Sequence, residues 1–315
     1  MPSIVIPDDY PVVMATSNAY RRFSETNSVT YHDALPGTED TLVERIRDFE
    51  IVINIRSSSK FTSRVFAACP KLKLLSIWGT GTDNVDLDAA GRYGVTVVNT
   101  PGVSAISIAE HTLMLALAVA RRTVAIHNGV AAGEWPRGQS IQLHGKTAGV
   151  IGLGAIGRQF ARLAQGIGMR VIAWTMNPNP ALGFELVELE ELLRTGDVIS
   201  LHLRLSPDTV GFLGRAQFNI MKPSAILVNT ARGPIVDELA LVEALREGRI
   251  AGAGLDVFDV EPLTPGHPLT KLDNVVLTPH CAGVTPEVLE AGLALAIGNV
   301  VSFLNGEPRN VVLPA

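Results

Sequence analysis

The stretch Gly152-Leu153-Gly154-Ala155-Ile156-Gly157 follows an apolar β-branched run, Thr147–Ile151, and opens a segment in which Ile156, Phe160, Leu163 and Ile167 recur at spacings of 4, 3 and 4. Glycines at these three positions, between a strand and a helix, permit a tight turn and a close backbone approach to a pyrophosphate at the helix N-terminus. The chemistry implied is dinucleotide binding, with Gly152, Gly154, Ala155, Ile156 and Gly157 as the cradle; the plain alternative is a turn that only packs helix on strand. An acidic residue for the adenosine ribose is expected about 20 residues further on. The sequence there reads Ala173-Trp174-Thr175-Met176-Asn177, so Thr175 takes the ribose-facing position and no Asp or Glu follows until Glu185. No carboxylate repels a 2′-phosphate, and no Arg or Lys close after Arg170 attracts one. NAD and NADP both stay open.

Other reactive side chains are ambiguous one at a time. His280 precedes Cys281, but consecutive residues usually point apart, and the thiol reads as inert rather than as a nucleophile. A histidine ending a strand can simply bond a loop, a glutamate such as Glu261 is most often an exposed charge, and Arg232 after a strand can cap a helix. No G-x-S-x-G elbow and no metal-type His cluster is present, which argues against a hydrolase and gives no metal site.

These residues need elements to hold them. The first hundred residues alternate β-branched runs (4–6, 51–55, 72–77, 95–98) with helical patterns (42–49, 60–68, 86–93), and this alternation predicts parallel strands covered by helices. After Pro101-Gly102 a helical pattern runs from about 105 to 132 and stops at Gly133 and Pro136. A second alternating series follows, with strands at 147–151, 171–174, 198–203, 225–229, 251–257 and 275–277, and helices at 156–167, 188–194, 217–221 and 238–247. The last helical pattern, 286 to about 304, ends at Asn305-Gly306, and an extended tail, 310–313, is expected to return to the first domain. The fold class expected is α/β: two Rossmann-like, doubly wound parallel-sheet domains, with the cofactor domain (101–286) inserted into a flavodoxin-like substrate domain (1–100 plus 287–315).

Composition agrees and sets exclusions. A chain of 315 residues exceeds what one core comfortably fills, and 47% hydrophobic against 18% charged residues is ample for packed interiors. A net charge of −5 offers no field for a nucleic acid. The N-terminus does not read as a signal peptide, and the longest apolar stretch, 113–120, is far shorter than a bilayer span, so no membrane partner is expected. With only Cys69 and Cys281, the chain suits a reducing cytoplasm.

Taken in order, the motifs form a signature. Gly79-Thr80-Gly81-Thr82-Asp83-Asn84-Val85-Asp86, Asn99-Thr100-Pro101-Gly102-Val103, Ala109-Glu110-His111-Thr112 and the glycine fingerprint come first. Asn229-Thr230-Ala231-Arg232-Gly233, Gly254-Leu255-Asp256-Val257-Phe258, Glu261-Pro262 and Thr278-Pro279-His280 follow. In this the chain resembles, over nearly its whole length, the D-isomer-specific 2-hydroxyacid dehydrogenases: glyoxylate/hydroxypyruvate reductases, D-lactate dehydrogenases and phosphoglycerate dehydrogenases. The resemblance implies hydride transfer between NAD(P) and a small 2-keto or 2-hydroxy acid, with His280 as acid/base. Glu261 would accept a hydrogen bond from the other imidazole nitrogen and favour the protonated ring. Arg232 would hold the substrate carboxylate and polarise the carbonyl.

The resemblance also assigns softer roles. Ser104 and Arg158 approach cofactor phosphates, Asp256 the nicotinamide amide, and His202 and Thr209 the adenine side; Thr230 and Ala231 line the cofactor. Backbone amides around Trp78, Gly79, Thr80 and Gly81 and at Ser57 and Ser58 face the substrate carboxylate, with Arg56 nearby. The segment after the second strand of the cofactor domain is short for this family, which weakens the adenine-side assignments. The acid is expected between the domains, whose closure would exclude water. A homodimer built on the 105–132 helix and the following 134–143 segment is implied. Because the chain ends at Ala315, a simple reductase is expected rather than a phosphoglycerate dehydrogenase with an added regulatory domain. The rival reading is an NAD(H)-sensing binding protein of the corepressor type, since fold alone does not fix function.

Overall fold

The structure, a computed structural model, describes residues 2–313. In chain order the elements are β1 (Ile4–Ile6), α1 (Asn18–Ser24), β2 (Val29–Tyr31), α2 (Glu39–Ile46), β3 (Ile51–Asn54), α3 (Ser63–Ala68), β4 (Leu74–Ile77), α4 (Leu87–Arg92) and β5 (Thr96–Val98). Next come α5 (Ala105–Ala120), α6 (Thr123–Ala131), β6 (Thr147–Ile151), α7 (Ala155–Gly166), β7 (Arg170–Trp174), β8 (Glu185–Leu186), α8 (Leu189–Thr195) and β9 (Val198–Leu201). The chain finishes with α9 (Arg215–Ile220), β10 (Ile226–Asn229), α10 (Glu238–Arg246), β11 (Gly252–Leu255), β12 (Val275–Leu277) and α11 (Pro286–Leu304). Two units result: residues 1–104 with 284–315, and residues 105–283. The second is thus inserted into the first, three or four residues inside the limits read from the sequence.

In the first unit the strands form an all-parallel sheet in the order β2-β1-β3-β4-β5. Every residue of β1, β3 and β4 is buried, as expected of parallel strands covered on both faces. One face is covered by Leu42 and Ile46 of α2, Val65 and Phe66 of α3 and Ala89 and Ala90 of α4. The other carries Phe23 of α1 and Leu293, Ala296, Ile297 and Val300 of α11. At 19 residues α11 is long and apolar enough to cross a bilayer by length and composition, but this face of it is core. The C-terminal tail does return: Val311 bridges Val98 antiparallel, and Val312 donates to the Val97 carbonyl.

In the second unit seven parallel strands run β12-β11-β10-β9-β6-β7-β8. Counted from β6, this is the doubly wound order with its reversal between β6 and β9. Helices α5 and α7 cover one face through Ala109, Leu115, Ala116, Phe160 and Ala161. The other face is closed by Leu192 and Leu193 of α8, Phe218 of α9 and Leu241 and Leu245 of α10. Gly254 lets α5 lie close on β11, because a Cβ there would sit 2.7 Å from Leu115 Cβ.

The single helix expected over 105–132 is instead two. It breaks at Arg121 and Arg122, both exposed, where Arg122 takes a left-handed φ of 51° before α6 starts. Helix α1 and the short edge strand β2, in a stretch with little periodicity, carried no readable signal in the sequence.

Candidate active site

In a parallel sheet, loops leaving the carboxyl ends of the strands share one edge, and every chemically interesting segment of the second unit leaves from there. Thr278-Pro279-His280 follows β12, Asp256 follows β11, Thr230-Ala231-Arg232 follows β10, His202 follows β9, Gly152 follows β6 and Thr175 follows β7. The sheet order therefore ranks them along the edge, with the glycine turn between the Thr175 end and the His280 end. Four strand spacings of about 4.8 Å put His280 roughly 19 Å from the glycine turn along the edge.

The glycine turn has the form a dinucleotide requires. Gly152 has a φ of 98°, and a Cβ there would lie 2.6 Å from the His202 carbonyl oxygen; a Cβ on Gly157 would lie 1.9 Å from the Gly152 carbonyl oxygen. These two glycines are needed to make the turn. Gly154 differs: it caps α7 with no side chain, and the space its Cβ would enter is open. That leaves the first amides of the 12-residue α7 uncovered for an anion. Ala155 and Ile156 begin the helix, and Arg158 donates from Nη1 to the Leu153 carbonyl at 3.1 Å, which sets its guanidinium over the loop. The cradle fits a pyrophosphate.

At the Thr175 end no acidic residue stands at the ribose position. Glu185 lies in β8 in register with Ile172, the middle residue of β7, and pairs with Arg170 at that strand's start. Neither charge is at the carboxyl end, where a ribose would lie. The ring of His202 packs on Phe160 with centroids 5.5 Å apart, and its Nε2 meets Ser200 Oγ at 3.0 Å. Burial pushes its pKa down to about 3, so this ring stays neutral. Thr209 is buried, its hydroxyl donating to the Arg204 carbonyl at 2.8 Å and accepting from the Ser206 amide at 2.7 Å. Both residues shape the loop after β9.

At the other end two of the expected catalytic residues, His280 and Glu261, are bonded. His280 Nδ1 lies 2.7 Å from Glu261 Oε2, and Glu261 Oε1 accepts the Phe258 amide at 3.0 Å. Burial tends to raise the pKa of Glu261, but the bond from His280, its charge, the Phe258 amide and the charge of Arg232 together hold it below the usual 4.5. Arg232 is thus within electrostatic range of the pair. Its Nη1 donates to the Ala231 carbonyl at 2.7 Å, and Asn229 braces the loop by donating to the Arg232 carbonyl and accepting the Ala231 amide. Gly233 must follow, because a Cβ there would lie 2.0 Å from the Phe258 carbonyl carbon. The Arg232 loop and the segment leading to Glu261 are packed backbone on backbone. His280 has a φ of 52°, a left-handed conformation rare for a residue with a side chain.

Asp256, assigned by resemblance to the nicotinamide amide, is 1% exposed, and its carboxylate accepts the Thr278 hydroxyl and the Cys281 and Ala282 amides. Thr230 is buried and bonded through its hydroxyl to Thr112 at 2.9 Å. Ser107, Thr112 and Thr278 all bond these loops, yet sequence reasoning gave them no role. The only signal for two of them was membership of the Ala109–Thr112 and Thr278–His280 motifs. Burial and the neighbouring Asp256 carboxylate push the Cys281 thiol up, in keeping with an inert thiol.

Within the first unit, the Trp78 amide donates to the Asn54 carbonyl and the Gly79 amide to the Thr100 hydroxyl. Both amides are therefore used within the unit. The Trp78 indole packs where a Cβ on Gly292 would be 2.1 Å from its Nε1. Ser57 and Ser58 sit in a turn closed by the Ser59 amide on the Arg56 carbonyl. Buried Asp8 holds that turn by accepting the Ile55 and Arg56 amides and the Ser59 hydroxyl, and Arg56 donates from Nη2 to the Pro11 carbonyl. Ser104 ends the first of the two segments that make up this unit.

Comparison with known proteins identifies the family and the fold. Residues 113–282 match the family model for the NAD binding domain of D-isomer specific 2-hydroxyacid dehydrogenases. A glyoxylate reductase from Korarchaeum cryptofilum is 38% identical over 90% of this chain and 88% of its own length. A D-3-phosphoglycerate dehydrogenase from Archaeoglobus fulgidus is 41% identical over 87% of this chain, which spans only 53% of that relative. Among solved structures, the acyclic imino acid reductase Bsp5, in complex with NADPH and D-Arg, superposes with a TM-score of 0.91 at 30% identity, covering 99% of this chain and all of that one.

Proposed function

Because the chain belongs to the D-isomer-specific 2-hydroxyacid dehydrogenase family, we propose that it reduces a small 2-keto acid to the D-2-hydroxy acid, using His280 as the proton donor. The observation that carries this reading is the 2.7 Å contact between His280 Nδ1 and Glu261 Oε2 at the carboxyl edge of the sheet. It fixes the ring so that Nε2, which has no partner among the described residues, is the nitrogen left for a substrate oxygen.

Gly152–Gly157 would hold the pyrophosphate of a nicotinamide dinucleotide, which when bound would supply hydride chemistry to the site. The chain's own residues do the rest. Arg232 draws electron density onto the carbonyl oxygen and grips the carboxylate. His280 delivers the proton from Nε2 to that oxygen as the alcohol forms, and Glu261 keeps Nδ1 protonated and the ring oriented. In the reverse direction neutral His280 takes the hydroxyl proton back. Thr175, in place of an acid at the ribose position, supports acceptance of either NADH or NADPH.

The test is a matrix of NADH and NADPH against glyoxylate, hydroxypyruvate, pyruvate and bulkier 2-keto acids, read as loss of reduced cofactor. Turnover in at least one cell, lowered about 100-fold or more in kcat by His280→Ala, is expected. An empty matrix rules out the reductase reading. An unchanged kcat in the variant rules out the acid/base role.

A further inference from the structure

His280 sits in a left-handed backbone conformation that is unfavourable for a residue with a Cβ, at a φ of 52°. Something in the surrounding structure must hold it there, and the turn 278–282 is held at every residue but Pro279. Asp256 supplies the centre: its carbonyl accepts the His280 amide at 2.8 Å, Oδ1 accepts the Cys281 amide at 3.0 Å and Oδ2 accepts the Ala282 amide at 2.9 Å. The Thr278 hydroxyl donates to Oδ1 as well.

The two ends of the turn are tied to helix α5. His111 Nε2 meets Thr278 Oγ1 at 2.9 Å, and the Ser107 hydroxyl donates to the Ala282 carbonyl at 2.8 Å. Ser107 and His111 are four residues apart, so they project from one face of the helix, one turn from each other. The proton order follows from valence. An ionised carboxylate only accepts, so the one Thr278 hydroxyl proton goes to Asp256, and the hydroxyl oxygen must then accept from His111. His111 therefore carries its proton on Nε2, and the chain runs from the imidazole through the hydroxyl to the carboxylate. The next residue, Thr112, bonds Thr230 at 2.9 Å, two positions before Arg232.

We infer that the first turns of α5 are a positioning device for the catalytic imidazole, with His111 acting on His280 through Thr278 and Asp256, and Ser107 steadying the far end of the turn. None of these residues touches the reacting atoms in this scheme. They set the left-handed turn that aims Nε2, and the inference rests on the acid/base role proposed for His280.

The experiment compares Thr278→Val, which keeps the shape but removes the hydroxyl, with Thr278→Ser, which keeps the hydroxyl, and His111→Ala with His111→Gln, whose amide can still donate. Four quantities are read: kcat with the best keto acid, the dissociation constant of the reduced cofactor, the melting temperature, and the 13Cα and 13Cβ chemical shifts of His280 in histidine-labelled protein. Thr278→Val and His111→Ala are expected to lower kcat about 10-fold or more, with cofactor affinity changed by less than about three-fold, while Thr278→Ser and His111→Gln recover most of the loss. In the two impaired variants the His280 shifts should leave the left-handed range. The inference is overturned if Thr278→Val keeps wild-type kcat and His280 shifts. It is equally overturned if the serine and glutamine variants are as impaired as valine and alanine, or if kcat falls only in step with melting temperature while the shifts stay put. Should the parent protein turn over no keto acid, the functional reading falls, and the chemical shifts still decide whether α5 sets the turn.

Discussion

Replacing Glu261 by Gln probes the site at one bond. In the native pair Oε2 accepts from His280 Nδ1 and Oε1 accepts from the Phe258 amide, so both oxygens act as acceptors. Glutamine has one oxygen and one NH2 group. If its oxygen keeps the buried Phe258 amide, its NH2 faces His280 and forces Nδ1 to become an acceptor, which places the proton on Nε2 of the neutral ring. A neutral ring of that tautomer cannot act as base toward a hydroxyl, and a protonated ring would set Nδ1–H against N–H. If the amide flips, the Phe258 N–H is orphaned instead. A hydrogen bond to a charged group contributes about 1.5–3 kcal/mol. His280 and Glu261 are 40% and 35% exposed, so solvent screening brings the figure to the low end, about 1.5 kcal/mol, or roughly a 10-fold loss of the competent ring state. The tautomer change acts on top of this in the oxidation direction. We expect kcat to fall about 10-fold for keto-acid reduction and by more for hydroxy-acid oxidation, with cofactor affinity nearly unchanged. Steady-state kinetics in both directions, with cofactor binding followed by nicotinamide fluorescence, measure this. Equal losses below about two-fold in both directions would refute the tautomer argument.

Other outcomes follow from the same geometry. Gly154→Ala fills open space and should leave the melting temperature within a few degrees while weakening dinucleotide binding at least about 10-fold, whereas Gly157→Ala, facing the Gly152 carbonyl at 1.9 Å, should lower the melting temperature; thermal melts with and without cofactor separate the two. Arg232→Lys replaces a planar fork by a point charge and should lower kcat/KM about 100-fold without unfolding the protein, as steady-state assays would show. Glu261 has a depressed pKa, so its stabilising contribution is present above the ordinary value of 4.5 and is lost as pH falls through the lower folded value; melting curves from pH 6 to 3 should fall less steeply in Glu261→Gln. The proposed homodimer predicts that Val130→Glu with Trp135→Lys, on an apolar helix α6 without a buried residue and the exposed segment after it, moves the protein to monomer size in gel filtration.

What was legible in the sequence, and what was not, divides along a physical line. The glycine turn could be read because two of its glycines answer a steric demand of the backbone itself, a positive φ at Gly152 and contact with a carbonyl at Gly157, while Gly154 leaves open space for a ligand. The insertion of one unit in the other was readable from the alternation of patterns and the extended tail. His280, Glu261 and Arg232 were ambiguous singly and gained roles only through ordered motifs, because 19 residues separate the bonded pair. What stayed illegible depends on side chains meeting across elements. Nothing in the spacing says that Arg170 and Glu185 neutralise each other near the start of β7, or that Asp256 spends its carboxylate on a turn 22 to 26 residues later. Periodicity likewise ran straight through Arg121 and Arg122, since a helix pattern records which residues are apolar and not where one backbone torsion changes sign. The same distinction explains why sequence reasoning assigned α5 no part in the site. Its apolar residues dominate the pattern, while three of its four polar ones, Ser107, His111 and Thr112, fall within two turns and are the ones that hold the catalytic loops.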